Sequence, residues 1–211
     1  PDKTAYAQRG PGGAIAGAPW RTLSYAELEN RVRRVAGWFG DHSTPGDVLL
    51  LLTGNSIDHA VVRLGALVAG VIICPVSAGY IASGGDFSRL TYVRDLVKPR
   101  FLYADSASAL EASASVFGSD SYTLLTGDAS AANYLPIPTI TLDEVEAHEA
   151  LTGDGDVDPD ATAAYMLTSG STGRPKAVLQ SQRMILSNLH QARQILGRAA
   201  GWSDCMLDWL P

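Results

Sequence analysis

Residues 168–176 read Thr-Ser-Gly-Ser-Thr-Gly-Arg-Pro-Lys, and their types and spacing are suited to binding phosphate. The two glycines allow positive φ, so consecutive backbone N–H groups can turn towards one point and form an anion-binding nest. The Thr and Ser hydroxyls add hydrogen-bond donors. Lys176 adds a mobile positive charge, and Arg174 can form a fork with phosphate. Together these groups predict a loop that holds a triphosphate.

The spacing within this loop excludes three familiar alternatives. A Walker-type loop needs Gly, four residues and then Gly-Lys before Ser or Thr, whereas the order here is Gly-Ser-Thr-Gly-Arg-Pro-Lys over residues 170–176. The dinucleotide pattern Gly-x-Gly-x-x-Gly does not fit the loop either. A hydrolase elbow, Gly-x-Ser-x-Gly, fails because Ser171 follows Gly170 directly.

Alternating strands and helices are predicted to position this loop. A continuous apolar run at residues 48–52 has the length and character of a strand that is buried on both faces, and residues 71–74 and 100–104 are predicted as the second and third strands. Ser24 with Glu27, and Thr141 with Glu144, fit capping boxes at helix starts. Further strands are predicted at residues 122–125, 163–167 and 205–210, and helices are predicted to begin near residues 24, 56, 87, 106, 141 and 181. This alternation predicts an α/β fold, a largely parallel sheet flanked by helices.

The composition and net charge of the chain limit the kinds of molecule that it is expected to bind. The 211 residues are 46% hydrophobic, which is enough for one sizeable core. A net charge of -6 argues against nucleic acid, and no apolar run approaches the ~20 residues that cross a membrane. Cys74 and Cys205 are isolated, and the four histidines lack metal-ligand spacing, so no metal site is predicted. We therefore expect a soluble cytoplasmic protein of undetermined oligomeric state, with residues 1–19, rich in Gly, Pro and Ala, as a flexible arm.

Residues 165–178, Tyr-Met-Leu-Thr-Ser-Gly-Ser-Thr-Gly-Arg-Pro-Lys-Ala-Val, resemble the phosphate-binding signature of the adenylate-forming superfamily. That family includes acyl- and aryl-CoA synthetases, luciferases and peptide-synthetase adenylation domains. Ala177 stands where Gly is usual, but its methyl group removes no phosphate donor, so we expect little functional loss. Segments at residues 20–28, 52–59, 65–70, 75–77 and 208–211 are similar to other family segments in the same order. The resemblance implies that residues 1–211 are the N-terminal portion of an AMP-binding domain.

The resemblance also implies a reaction in two half-steps. A carboxylate attacks the α-phosphate of Mg-ATP to give acyl-AMP and pyrophosphate, and the thiolate of coenzyme A then displaces AMP. ATP, Mg²⁺ and coenzyme A are thus the implied cofactors, and a small carboxylic acid is the implied substrate. Arg174 is left out of the implied site because the family varies at that position. The residues implied to hold the β- and γ-phosphates are Thr168, Ser169, Gly170, Ser171, Thr172, Gly173 and Lys176.

Three short segments bear on the substrate. Pro-Lys-Ala-Val at 175–178, Gln-Arg-Met at 182–184 and Asp-Trp-Leu-Pro at 208–211 resemble feruloyl-CoA synthetases, which implies an aryl or aryl-propenoic acid. Two alternatives stay open: an adenylation domain that loads an acid onto a carrier protein, and a non-catalytic module that binds a nucleotide or anion. The family's adenine, ribose and catalytic-lysine motifs would follow residue 211. These 211 residues alone are therefore expected to form no acyl-AMP without the missing C-terminal part of the same chain.

Overall fold

The computed structural model describes residues 2–9, 19–118, 121–133, 135–153, 157–169 and 174–196. Its helices and strands alternate along most of the chain. The strands are β1 (Thr4–Arg9), β2 (Trp20–Ser24), β3 (Val48–Leu52), β4 (Ile72–Pro75), β5 (Phe101–Ala104), β6 (Thr123–Thr126), β7 (Thr139–Thr141), β8 (Thr162–Ser169) and β9 (Pro175–Ser181). The helices are α1 (Tyr25–His42), α2 (Ile57–Val68), α3 (Ser88–Val97), α4 (Ala107–Val116), α5 (Leu142–Glu146) and α6 (Gln182–Leu196).

Seven strands form one sheet in the order β7-β6-β5-β3-β4-β8-β9. Neighbouring strands run parallel from β7 to β8, and β9 returns antiparallel to β8 at the edge. The pair β1-β2 forms a separate antiparallel ribbon. The predicted α/β fold with a largely parallel sheet is confirmed.

The sheet is packed on both faces, and β3 lies at its centre with all five residues buried. Because successive side chains of a strand point to opposite faces, Leu50 joins one core cluster and Leu49 the other. The first cluster contains the inward residues of α3 and α4, and the second contains those of α1, α2 and α5. The helices thus hold the strands in place from two sides.

The helix starts follow from their predicted caps. The Ser24 side chain accepts a hydrogen bond from the Glu27 N–H while the Glu27 carboxylate accepts from the Ser24 N–H, and Thr141 and Glu144 repeat this arrangement. Both predicted capping boxes are confirmed. Helices α1 and α2 pack closely at Gly65, where a Cβ atom would lie 2.5 Å from Val35 Cγ1.

The structure departs from the predicted elements at three places. Strand β9 occupies residues that were expected to run from the loop directly into the helix at residue 181. It was missed because its burial does not alternate residue by residue, since only its end residues Pro175 and Ser181 are buried. Neither strand of the ribbon β1-β2 was predicted. β1 lies within the predicted arm, and both strands are mostly exposed, so they lack the apolar alternation by which a half-buried strand is recognised. Strand β7, only three residues long, had no signal of its own. The predicted strand at residues 205–210 lies outside the described residues.

Candidate phosphate-binding site

The predicted phosphate loop lies between β8 and β9, at the carboxyl edge of the parallel strands. Strand β8 runs parallel to β4 and ends at Ser169, and β9 begins at Pro175 and runs back antiparallel. Residues 170–174 therefore connect the two strands of a hairpin. In open α/β sheets, ligands bind at this carboxyl edge.

Thr168 and Lys176 lie side by side at the end of the hairpin. They are direct partners in the β8-β9 register, so their side chains emerge on the same face of the sheet. The Thr168 hydroxyl Oγ1 donates to the Lys176 carbonyl oxygen at 3.5 Å, and both residues are exposed. Within the described part of the chain, none of the ion pairs involves Lys176. A hydroxyl and an ammonium group thus stand together, open to an incoming anion.

The other predicted site residues divide into two groups. Ser169 is the last residue of β8, and its backbone pairs with Pro175. Gly170, Ser171, Thr172 and Gly173 lie outside the described residues. Their part in holding phosphate stays a prediction.

Arg174 contacts a helix that the sequence did not connect with the loop. Its guanidinium carbon lies 5.6 Å from the centre of the Tyr92 ring, which belongs to α3. Pro175, the next residue, is buried, so the start of β9 is held against the body of the protein. No sequence spacing joins Tyr92 to the loop, because the contact depends on the pairing of β9, which was not predicted.

A second set of polar groups lies at the same edge of the sheet, where β3 and β5 end. The Ser56 hydroxyl caps α2 and donates to the Asp105 carboxylate at 3.3 Å. Burial lowers the pKa of His59, and nearby Arg63 adds to this effect, although a hydrogen bond to the Gly54 carbonyl and the charge of Asp105 oppose it. His59 is therefore a neutral imidazole near pH 7 and supplies hydrogen bonding without charge.

Cys74, the cysteine within the described residues, is part of the core. Cys74, in β4, is buried, and burial raises the pKa of its thiol to about 12. The thiolate is the reactive form of cysteine, so this side chain is inert near neutral pH. Cys74 is therefore not a candidate nucleophile.

Among the described residues, no three His, Cys, Asp or Glu side chains come close enough together to hold a metal ion. Across that same portion, the helices are too short or too polar to traverse a bilayer.

Similar proteins share both sequence and fold with this chain. The model of a family described as AMP-binding enzyme matches residues 1–211. A long-chain-fatty-acid–AMP ligase of Mycobacterium tuberculosis is 30% identical over 171 residues, which are 81% of this chain and 27% of that protein. A putative fatty-acid–CoA ligase of the same species is 26% identical over 90% of this chain and 31% of its own length. In rice, Oryza sativa, a 4-coumarate–CoA ligase-like protein is 27% identical over 87% of this chain and 28% of its own length.

Solved structures show the same fold. A fatty acyl-adenylate ligase from L. pneumophila, in complex with acyl adenylate and pyrophosphate, superposes with a TM-score of 0.61 at 22% identity, over 85% of this chain and 29% of that one. The A-PCP didomain of a carboxylic acid reductase from Segniliparus rugosus, in complex with AMP, gives 0.66 at 22% identity, over 86% and 30%. The chain thus spans about three-tenths of the length of each of these relatives and structures.

Proposed function

Because the chain belongs to the AMP-binding enzyme family, we propose that it supplies the phosphate-binding part of a ligase that activates a carboxylic acid by adenylation. The observation that carries the proposal is the pair of exposed side chains, Thr168 and Lys176, at the hairpin end on the carboxyl edge of the sheet. An exposed ammonium group beside a hydroxyl matches a ligand that carries several negative charges.

Lys176 has two tasks in this proposal. Its ammonium group binds the β- and γ-phosphates of ATP, and it stabilises the charge that builds up on pyrophosphate as the acid oxygen attacks the α-phosphorus. The Thr168 hydroxyl, which donates its one proton to the Lys176 carbonyl oxygen at 3.5 Å in the structure, turns to donate to the same phosphates when ATP is bound. Neither side chain accepts a proton from the acid, because a carboxylate is already ionised near pH 7 and attacks without a base. The work of these residues is therefore positioning and charge stabilisation.

The remaining loop residues would add donors to the same phosphates. Ser169, Gly170, Ser171, Thr172 and Gly173 follow the family signature. Mg²⁺ fits this arrangement because it is commonly held by substrate phosphates with few protein ligands, and it would neutralise phosphate charge when bound. The described residues contain no metal cluster of their own that would compete with such a site.

We propose an aryl or aryl-propenoic acid, feruloyl-like, as the substrate and coenzyme A as the acceptor. Support comes from the sequence segments at 175–178 and 182–184 and from the rice relative, whose name includes 4-coumarate–CoA ligase. The mycobacterial relatives are named for fatty acids, so these acids are the first competitors. A carrier protein is the alternative acceptor, since one neighbouring structure is an A-PCP didomain.

ATP–pyrophosphate exchange by the longest product of the gene tests the proposal. The acid panel should include ferulate, 4-coumarate, benzoate and fatty acids of several chain lengths. We expect exchange with at least one acid and fastest exchange with an aryl-propenoic acid. Exchange with fatty acids alone would replace the proposed substrate, and exchange with none would leave a module that binds nucleotide without catalysis.

The acceptor is tested separately. With the preferred acid, we expect acyl-CoA to accumulate when coenzyme A is added, which chromatography with mass detection can follow. Acyl-AMP formation without transfer to coenzyme A would favour a carrier protein as the acceptor.

A further inference from the structure

We propose that Arg174 positions the phosphate loop by stacking on Tyr92 and does not itself bind phosphate. The inference rests on the proposed function, because it assigns a task within the same nucleotide site. It separates the two cations that follow the loop glycines: Lys176 faces the ligand, and Arg174 holds the loop to the protein.

The contact has the geometry of a cation–π interaction. The Arg174 guanidinium carbon lies 5.6 Å from the Tyr92 ring centre, inside the ~6 Å range over which a cation is attracted to the face of an aromatic ring. A guanidinium group stacks on aromatic rings more readily than a lysine ammonium does, because it is planar and weakly hydrated.

Tyr92 is a firm support for this contact. It is half-buried on α3, whose neighbouring residues Leu90 and Val93 are fully buried in the core beneath the sheet. The helix begins at Ser88, whose hydroxyl and N–H both donate to the Asp86 carboxylate at about 3 Å. A ring carried by a packed helix moves less than one on a loop, so stacking on it limits the motion of Arg174.

The contact lies where the loop joins its second strand. Strand β8 ends at Ser169, which pairs with Pro175, the first residue of β9. The residue before Ser169, Thr168, pairs with Lys176. Arg174 is the residue just before this ladder, so its contact with Tyr92 fixes the returning chain together with the buried Pro175 that follows it. Lys176 is two residues further along the chain, in β9, so the direction of its side chain depends on how the start of β9 is held.

Anchoring should change ATP affinity more than the chemical step. When only a fraction of a protein has the conformation that binds, the apparent dissociation constant rises in inverse proportion to that fraction. An exposed cation–π contact changes the equilibrium constant between two such conformations by about twofold to fivefold. We therefore expect loss of the contact to raise the KM for ATP by that factor with little change in kcat. A direct phosphate contact that strengthens in the transition state would lower kcat instead.

The kinetic test compares Arg174→Ala, Tyr92→Leu, the double variant and Tyr92→Phe in ATP–pyrophosphate exchange by the longest gene product. Tyr92→Phe is the matched control because it keeps the ring. We expect both single variants to raise the KM for ATP by about twofold to fivefold. The double variant should be no worse than either single one, and Tyr92→Phe should match the wild type. A fall in kcat with Arg174→Ala, together with a silent Tyr92→Leu, would overturn the proposal, as would no change in either.

A second readout does not depend on activity. Hydrogen–deuterium exchange of the longest gene product without nucleotide should be faster by about twofold to fivefold in peptides covering residues 168–177 for Arg174→Ala and Tyr92→Leu, but not for Tyr92→Phe. Peptides covering residues 88–97 should keep their exchange rate, which shows that α3 remains folded. Unchanged exchange at the loop would refute the anchoring even if the wild type proved to activate no acid.

Discussion

The centre of the sheet and its β8-β9 edge are built on different principles. In β3, all five residues are buried, and in the neighbouring β5 all four are. At the edge, Met166, Val178 and Leu179 are 41%, 46% and 50% exposed. The predicted phosphate loop belongs to the exposed edge. Stability is therefore expected to reside in the centre, while the groups proposed to bind ligand are carried by a hairpin that contributes less to the core.

Truncation of one leucine in each region should separate the two by their cost in stability. Leu50→Ala removes a side chain with no exposed surface from β3 and should lower the free energy of unfolding by about 2–5 kcal/mol. Leu179→Ala, on a half-exposed edge residue, should cost at most about 1 kcal/mol. Urea denaturation of both variants measures the difference. Equal costs would mean that the hairpin is as much a part of the core as β3.

Loss of the Lys176 ammonium group should affect activity rather than stability. Lys176→Ala should lower kcat/KM for ATP–pyrophosphate exchange in the longest gene product by about 30- to 900-fold, or about 2–4 kcal/mol, by analogy with the loss of an oxyanion donor. The free energy of unfolding should change by less than about 0.5 kcal/mol, because the side chain is exposed. Lys98→Ala, at another exposed lysine, serves as the control and should retain full exchange. An unchanged exchange rate in Lys176→Ala would remove this residue from the site.

Two glycines of α1, Gly37 and Gly40, differ in how closely the rest of the protein packs against them. In α1, a Cβ atom at Gly37 would overlap the Glu149 carbonyl oxygen, whereas at Gly40 nothing lies within 4 Å. Gly37→Ala should therefore destabilise the fold by about 1–3 kcal/mol through overpacking. Gly40→Ala should raise stability by up to about 1 kcal/mol, because alanine favours a helix. Thermal unfolding of the two variants should shift the midpoint in opposite directions, and a shift in the same direction would contradict the close approach.

The smallest expected effect depends on pH. Burial alone would raise the pKa of Asp58, but hydrogen bonds from Arg21 and Arg31 outweigh burial and lower it below its ordinary value. A carboxyl with a lowered pKa in the folded state stabilises the protein above the unfolded pKa of about 3.9, and this stability is lost as the pH falls through the folded pKa. Asp58→Asn should cost about 1 kcal/mol at pH 7, as for a partly exposed ion pair.

The pH profile provides the check. The difference in unfolding free energy between wild type and Asp58→Asn should shrink as the pH is lowered from 5 towards 3. A difference that stays constant across this range would show that Asp58 acts through packing rather than charge. Arg31 keeps Glu146 as a partner in the variant, so α1 and α5 stay connected.

Strand β3 and the capped helix starts could be predicted from the sequence because each is marked by a few consecutive residues. The run Val-Leu-Leu-Leu-Leu at residues 48–52 has the composition of a strand covered on both faces, and β3 has these bounds. The capping boxes at Ser24 and Thr141 mark helix starts within four residues of chain. Signals of this kind need no knowledge of the rest of the fold.

The edge could be predicted only in part. The phosphate loop stays a prediction from the chemistry of its residues, and β9 was missed because its stability comes from pairing with β8 rather than from its own pattern. The same omission concealed the contact between Arg174 and Tyr92, two residues that are far apart in sequence and meet only through the path of β9. Similarly, β1 is recognisable only through its partner β2.

The antiparallel pairing of β8 with β9 also affects the order in which the strands assemble during folding. Residues paired across this hairpin are separated by few positions in the chain, whereas β3 pairs with β5 across about fifty residues. A hairpin forms within about 1–10 μs, whereas pairing of distant parallel strands must first overcome the entropy of closing a long loop. We therefore expect the limbs that carry Thr168 and Lys176 to meet early in folding, before the central strands assemble.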